Sequence, residues 1–251
     1  MKAIDYRTGA ACAVLAAVCL PFGAWSQPAG VEARADALLR ATTSYMAGLQ
    51  QFSLTTENML EAVTTDGQKI QFVMPAAMTV ARPDKMFAER IGVSEQMFFY
   101  DGKTLTLFNP GTGHYATVPA PANLDAMFDF AQTKLDVFAP GTDLIDTRAY
   151  DRLMQDVKTG RYLGTEVVGG QRCHHLAYQG AEVDWQLWVR EGDRPQPCRY
   201  LITTKGMTGA PQFTVQFLSF DASPKIDAGL FRFVPPVGAR AVEFLPSNLA
   251  R

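Results

Sequence analysis

A mainly β protein, with one large antiparallel sheet curled around a few lid helices, is what this sequence predicts. Three observations carry that reading. Ile70, Phe72, Met74, Ala76, Met78 and Val80 alternate with other residues through one segment, so a strand places all six on one face. Short alternating stretches recur through the second half, as in Phe213, Val215 and Phe217 set between Gln212, Thr214 and Gln216. Helical spacing is confined to an opening segment and two central ones. Strands in a meander, with helices before and between them, make a curled antiparallel sheet rather than a βαβ alternation.

The composition fits one globular domain. Hydrophobic residues make up 47% of the 251, and 23 Lys+Arg stand against 25 Asp+Glu for a net charge of −2. That excludes a charge-rich disordered chain and leaves no global electrostatic footprint for nucleic acid.

The chain opens with Lys2 and Arg7, an apolar run from Ala10 to Phe22, and small residues at Ala24 and Ser26 flanking Trp25. This order predicts a signal peptide over 1–26, cut near Ser26, and an exported single domain over 27–251. The run is shorter than the ~20 residues a membrane span needs. Cys12 and Cys19 leave with it. Cys173 and Cys198 remain, in a compartment that permits disulfides.

Along the mature chain, Ala35, Leu38, Leu39, Thr42, Met46 and Leu49 predict an amphipathic helix from Val31 to about Gly48. Thr65-Asp66-Gly67 is a hairpin turn before the strand that holds Ile70 to Val80. Strands follow at Met97–Tyr100, Leu105–Phe108 and Tyr115–Val118, separated by Asp101-Gly102-Lys103 and Asn109-Pro110-Gly111. Leu124, Met127, Phe128 and Ala131 predict a central helix. Tyr150, Leu153, Met154 and Val157 predict another, with Asp146 or Thr147 as its cap. The segment between them, Leu135 to Asp143 with Phe138, Pro140 and Gly141, reads as irregular. Strands then resume at Arg161–Val168, Arg172–Tyr178, Val183–Arg190, Arg199–Thr204, Gln212–Phe220 and Leu230–Pro235.

Three local patterns occur in a telling order: Val80-Ala81-Arg82-Pro83-Asp84, then Phe99 to Pro110 with its Asp-Gly-Lys turn, then Leu230-Phe231-Arg232-Phe233-Val234-Pro235-Pro236-Val237-Gly238. Together they resemble the periplasmic lipoprotein-carrier (LolA-like) superfamily. The stretch Val168 to Leu176, with Val183 to Val189, is similar to an uncharacterised family of predicted periplasmic proteins within it. The resemblance implies a periplasmic half-barrel whose curved sheet and lid helices enclose an apolar cavity. It implies a non-catalytic binding protein for a lipid or acylated lipoprotein. Ile70, Phe72, Met74, Met78, Val80, Leu124, Met127 and Phe128 would line the cavity, where each buried methylene contributes ~0.8 kcal/mol. Methionine makes such a wall adaptable, although each Met also serves as ordinary core.

By the same resemblance Arg82 contacts the lid or governs release. Its parity aims it inward, where helix carbonyls or a carboxylate would have to receive the guanidinium; the other reading ends the strand before it and leaves it in water. A sensor or protein-interaction module with an envelope partner is the alternative on the same fold.

Catalytic and metal chemistry find little support. His174 and His175 are adjacent in a strand and point to opposite faces; Cys173 and His175 share one, with no third ligand evident. No nucleophile elbow, zinc-protease motif or phosphate loop occurs. Neither a cofactor nor a metal is expected. Enzyme action around Cys173 and His175 would need those side chains to converge with a third polar group in a pocket.

Cys173 and Cys198 start strands that flank a third, and next-but-one strands lie about twice ~4.8 Å apart, beyond the usual ~4.4–6.8 Å Cα span. A short or bulged middle strand could close that gap, so a disulfide is possible but not dictated. Trp185 and Trp188 face opposite sides of one strand, one of them away from the main apolar face.

Overall fold

The structure, a computed structural model, describes residues 30–92, 95–137 and 140–244. The segment 1–26, expected to be a signal peptide, and Phe138 lie outside the described residues. Helix α1 (Ala33–Gly48) leads into the long hairpin of β1 (Gln51–Val63) and β2 (Lys69–Ala81). Next come β3 (Lys85–Arg90), β4 (Gln96–Tyr100), β5 (Thr104–Asn109) and β6 (His114–Pro119). The centre holds α2 (Leu124–Lys134), a 3-10 turn (Thr142–Leu144) and α3 (Ala149–Met154). The second half is β7 (Val157–Val168), β8 (Gln171–Gly180), β9 (Val183–Arg190), β10 (Pro197–Thr204) and β11 (Gln212–Asp221), with a two-residue β12 (Arg240–Ala241).

All twelve strands among the described residues join one open sheet in the order β12-β6-β5-β4-β3-β2-β1-β11-β10-β9-β8-β7. Every described pairing between these strands is antiparallel except that of β12 with β6. The return of β11 to β1 sets the two meanders side by side. The even-numbered residues of β1 and β2 share the inner face: Phe52 opposes Val80 and Leu54 opposes Met78. All three helices and the 3-10 turn contribute side chains to the core on this face.

Local chemistry explains the elements. Asn123 caps α2, its side chain accepting from the Ala126 N–H at 2.9 Å. Asp146 does not cap α3, whose N-cap is Arg148; its carboxylate accepts from the Arg148 N–H at 2.7 Å instead. One predicted strand is absent. Leu230–Pro235 forms turns closed by Leu230 N–H to Asp227 and Arg232 N–H to Gly229, and Pro235-Pro236 supplies no donor for a ladder. This segment instead crosses the outer face, where Phe233 packs among Phe99, Phe108 and Tyr115 at 5.0–5.4 Å between centroids.

Gly160 marks a tight contact between α1's approach and the sheet. A Cβ there would lie 2.7 Å from the Tyr178 ring and 2.9 Å from Val31. The ring is fully buried and held by its hydroxyl, which donates to the Ala35 carbonyl at 2.9 Å. Gly160→Ala is therefore expected to cost about 1–3 kcal/mol by overpacking. Urea denaturation checks this, and an unchanged midpoint would show that the ring yields.

Candidate functional site

The helices meet the inner face through two apolar clusters. On the β8–β11 side, Ala35 and Leu39 of α1, Leu144 of the 3-10 turn, and Leu153 and Met154 of α3 pack on Leu176, Tyr178, Leu187, Tyr200 and Val215. On the β1–β5 side, Met46, Leu124, Met127, Ala131 and Ile145 pack on Phe52, Leu54, Val80, Met86, Tyr100 and Leu105.

The eight residues assigned to a cavity wall divide between two environments. Val80, Leu124 and Met127 are buried in the second cluster, with Met78 and Phe128 packed against it. Ile70 and Phe72 lie beyond the helices at the far end of the β1–β2 hairpin, 38% and 36% exposed, and Met74 is half-buried between the two groups. Leu60, opposite Phe72 and 38% exposed, extends this patch, as does half-buried Phe213 opposite Leu60. The inner face thus ends in an open apolar strip at the hairpin. Sequence reasoning missed Leu60 and Phe213 as members, because only the cross-strand register reveals them.

Arg82 joins the strand end to the helices. Its Nε donates to the carbonyl of Leu49, the residue that closes α1, at 3.1 Å; its Nη2 donates to the carbonyl of Ile145, which closes the 3-10 turn. These are helix-end carbonyls with no intrahelical partner. Burial lowers the guanidinium's pKa, while Asp125 and Asp146 favour its charge.

Beside it, Asp146 is 1% exposed and accepts from Arg148 Nε at 3.0 Å and Nη2 at 2.8 Å, and from Arg152. Both arginines also reach Asp129 on α2, and Thr147 binds Asp125 through its N–H at 3.0 Å. The central segment is thereby tied to α2 and to the strand end.

The back of the sheet holds the remaining chemistry. His175 binds Glu166 through Nδ1 at 2.9 Å and Gln186 through Nε2 at 2.9 Å, and its ring stacks on Trp188 at 4.0 Å. Glu166 also accepts from Trp188 Nε1 at 2.8 Å. His174 faces inward and meets Tyr162. Cys173 and Cys198 are bonded, with Cα atoms 6.7 Å apart.

The bulge that allows this falls in β10 rather than in the middle strand. Pro197 and Arg199 oppose the adjacent residues Val189 and Trp188, leaving Cys198 as the extra residue that swings toward β8. A third polar group, Glu166, does converge on His175. The cysteine sulfur beside them, however, is oxidised and offers no nucleophile. Trp188 is buried against Val168 and the disulfide; Trp185, on the opposite face, stacks on Tyr178 at 4.0 Å.

Cavities among the described residues include two that open elsewhere. One, of about 240 Å³, lies on the outer face beneath the strap that carries Phe231 and Phe233. The other, of about 310 Å³, lies between β10 and β11. Neither is lined by any of the eight residues assigned to a cavity wall. Among the described residues, no group of three or more His, Cys, Asp or Glu could hold a metal, and no helix is long and apolar enough to cross a membrane.

Comparison with known proteins gives a family and a fold. The family described as "Predicted periplasmic protein (DUF2092)" matches residues 35–245. No curated protein matches. Among solved structures, LprF from Mycobacterium bovis is similar at 14% identity and a TM-score of 0.50, over 78% of this chain and 97% of that one. An uncharacterized conserved protein from Thermus thermophilus is 11% identical with a TM-score of 0.49, over 84% and 99%. A LolA superfamily protein, NE2245 from Nitrosomonas europaea, is 11% identical with a TM-score of 0.40, over 79% and 97%. At such identities the likeness to LprF is one of fold.

Proposed function

The chain belongs to the DUF2092 family of predicted periplasmic proteins, and from that premise we propose that it binds an acyl chain, on a lipid or an acylated protein, without catalysis. The observation that supports this reading is the open strip of Leu60, Ile70, Phe72 and Met74 on the inner face. A concave sheet that leaves three large apolar residues exposed and a fourth, Met74, half-buried on one side of a hairpin offers alkyl chains a surface at ~0.8 kcal/mol per methylene buried. Methionine at the junction with the core lets the strip lengthen toward Met78 as a chain enters.

A second reading shares the strip. The helices rest on a packed core at Val80, Leu124 and Met127, which favours contact with the apolar side chains of an envelope protein over a chain drawn deep into the fold.

The test is titration of the mature protein with a neutral, fluorescent N-lauroyl tripeptide amide. Ile70→Glu with Phe72→Glu, both at exposed positions, is expected to lower affinity at least about tenfold while leaving thermal unfolding unchanged. An affinity equal to that of the wild type, or no binding by the wild type, overturns the acyl-chain reading and leaves the protein-partner reading in front.

A further inference from the structure

The ladder between β10 and β11 ends at Arg199 and Gln216, yet β11 runs on to Asp221 against β1. Beyond that last rung Cys198 is drawn toward Cys173 of β8 by the disulfide. A seam opens between the two strands, about 310 Å³ in volume and flanked by the β7–β8 turn at Gly169. That volume sits at the lower end of small-molecule sites, ~300–1,000 Å³.

The seam has two kinds of wall. Phe217, Phe220, Val168 and Leu218 supply its apolar lining, while Arg190 and Arg199 both line it and none of its described lining residues is acidic. Each guanidinium is held by a glutamine instead of a carboxylate. Arg199 donates from Nε to Gln216 Oε1 at 2.8 Å, and Arg190 from Nη1 to Gln196 Oε1 at 3.3 Å. Both glutamines are buried and fixed in turn, Gln196 donating to the Tyr45 hydroxyl at 3.1 Å and Gln216 to the Cys198 carbonyl at 3.0 Å.

Glu166 feels the charge of Arg199 but spends its two oxygens on His175 and Trp188. A guanidinium presents five N–H donors in a rigid fork that suits carboxylate and phosphate. A bond to a neutral amide positions each fork, and Arg199 also lies 5.6 Å from the centroid of the Trp188 ring; among the described residues neither fork is hydrogen-bonded to a carboxylate.

We propose that this seam is a second binding site, taking an anionic headgroup, phosphate or carboxylate, with the first part of an attached apolar chain against Phe217 and Phe220. It lies toward the opposite end of β11 from Phe213 and the open strip, and it does not depend on the acyl-chain reading. A headgroup anion would accept from both forks, and the aromatic wall would exclude water from the carbons next to it.

The test is calorimetric titration of the mature protein with dodecyl phosphate below its micelle concentration, with dodecyl maltoside and inorganic phosphate as comparisons. Arg190→Gln with Arg199→Gln is expected to lower dodecyl phosphate affinity at least about tenfold and to leave dodecyl maltoside unchanged, with the wild-type unfolding temperature retained. The Ile70→Glu/Phe72→Glu variant should lose dodecyl maltoside binding at the strip but keep the arginine-dependent binding of dodecyl phosphate, so failure of the strip and failure of the seam read out separately.

Equal binding of dodecyl phosphate by the wild type and the arginine variant overturns the proposal. Inorganic phosphate binding as tightly as dodecyl phosphate overturns its amphiphile part, leaving a site for the free anion.

Discussion

Removing the Cys173–Cys198 bond, by reductant or as Cys173→Ala with Cys198→Ala, is expected to lower stability by about 3.5 kcal/mol. The figure follows from the chain entropy released when a loop spanning a sequence separation of 25 is no longer closed in the unfolded state. At ~2–4 °C per kcal/mol for a domain of this size, the unfolding temperature should fall by roughly 7–14 °C. Both cysteines are buried beside Val168 and Trp188, so alanine avoids placing a hydroxyl in an apolar cluster. The check is thermal unfolding with and without reductant, with free thiols counted in each sample. Two free thiols and an unshifted transition would show that the tertiary contacts alone hold β8 to β10.

Asp146→Ala is the second large effect, about 2–3 kcal/mol at neutral pH. Breaking a buried ion pair costs ~3–5 kcal/mol. The expected loss lies at or just below the bottom of that range because Arg148 and Arg152 are 48% and 33% exposed and regain water once released. The effect carries a pH signature.

Burial pushes the Asp146 carboxyl up, but the hydrogen bonds from Arg148 and the charges of Arg152 and Arg148 outweigh it and hold the pKa below the ordinary carboxylate value. A folded-state pKa below the unfolded one contributes stability that is complete above the unfolded value, ~3.9, and is lost as pH falls through the folded one. Asp129 is shifted the same way, with burial again opposing its arginine partners. Asp143, raised by burial, acts in the opposite sense: its charge costs stability at neutral pH and protonation relieves that as pH falls. Guanidinium denaturation of wild type and Asp146→Ala at pH 7 and near pH 3 should therefore give curves that converge on acidification. A difference that stays constant would mean that Asp146 acts through packing and not through charge.

Much of the fold was legible because strands and helices impose periods that one sequence displays. The even parity of Ile70 to Val80 and the turns at Thr65-Asp66-Gly67 and Asp101-Gly102-Lys103 follow from local geometry, and the structure has each of them. Leu230–Pro235 misled because Phe-x-Phe alternation looks the same in a strand as in an irregular strap whose rings fill an outer-face cluster. β1 and β3 left weaker marks, being mixed in polarity along their length.

The sequence by itself determined the architecture: one curled antiparallel sheet with a few helices on its inner face. It also determined the shared face of Ile70 to Val80. Three things waited for the tertiary structure. How far the helices reach along β2 decided that Val80 is core while Ile70 and Phe72 are open, since parity names a face but says nothing about what covers it. A single bulge at Cys198 decided the disulfide, because one extra residue in β10 redirects a side chain across a neighbouring strand. The end of the β10–β11 ladder brought Arg190 and Arg199 to one seam. Contacts between residues far apart in the chain depend on register and curvature, and neither is written in the order of the residues alone.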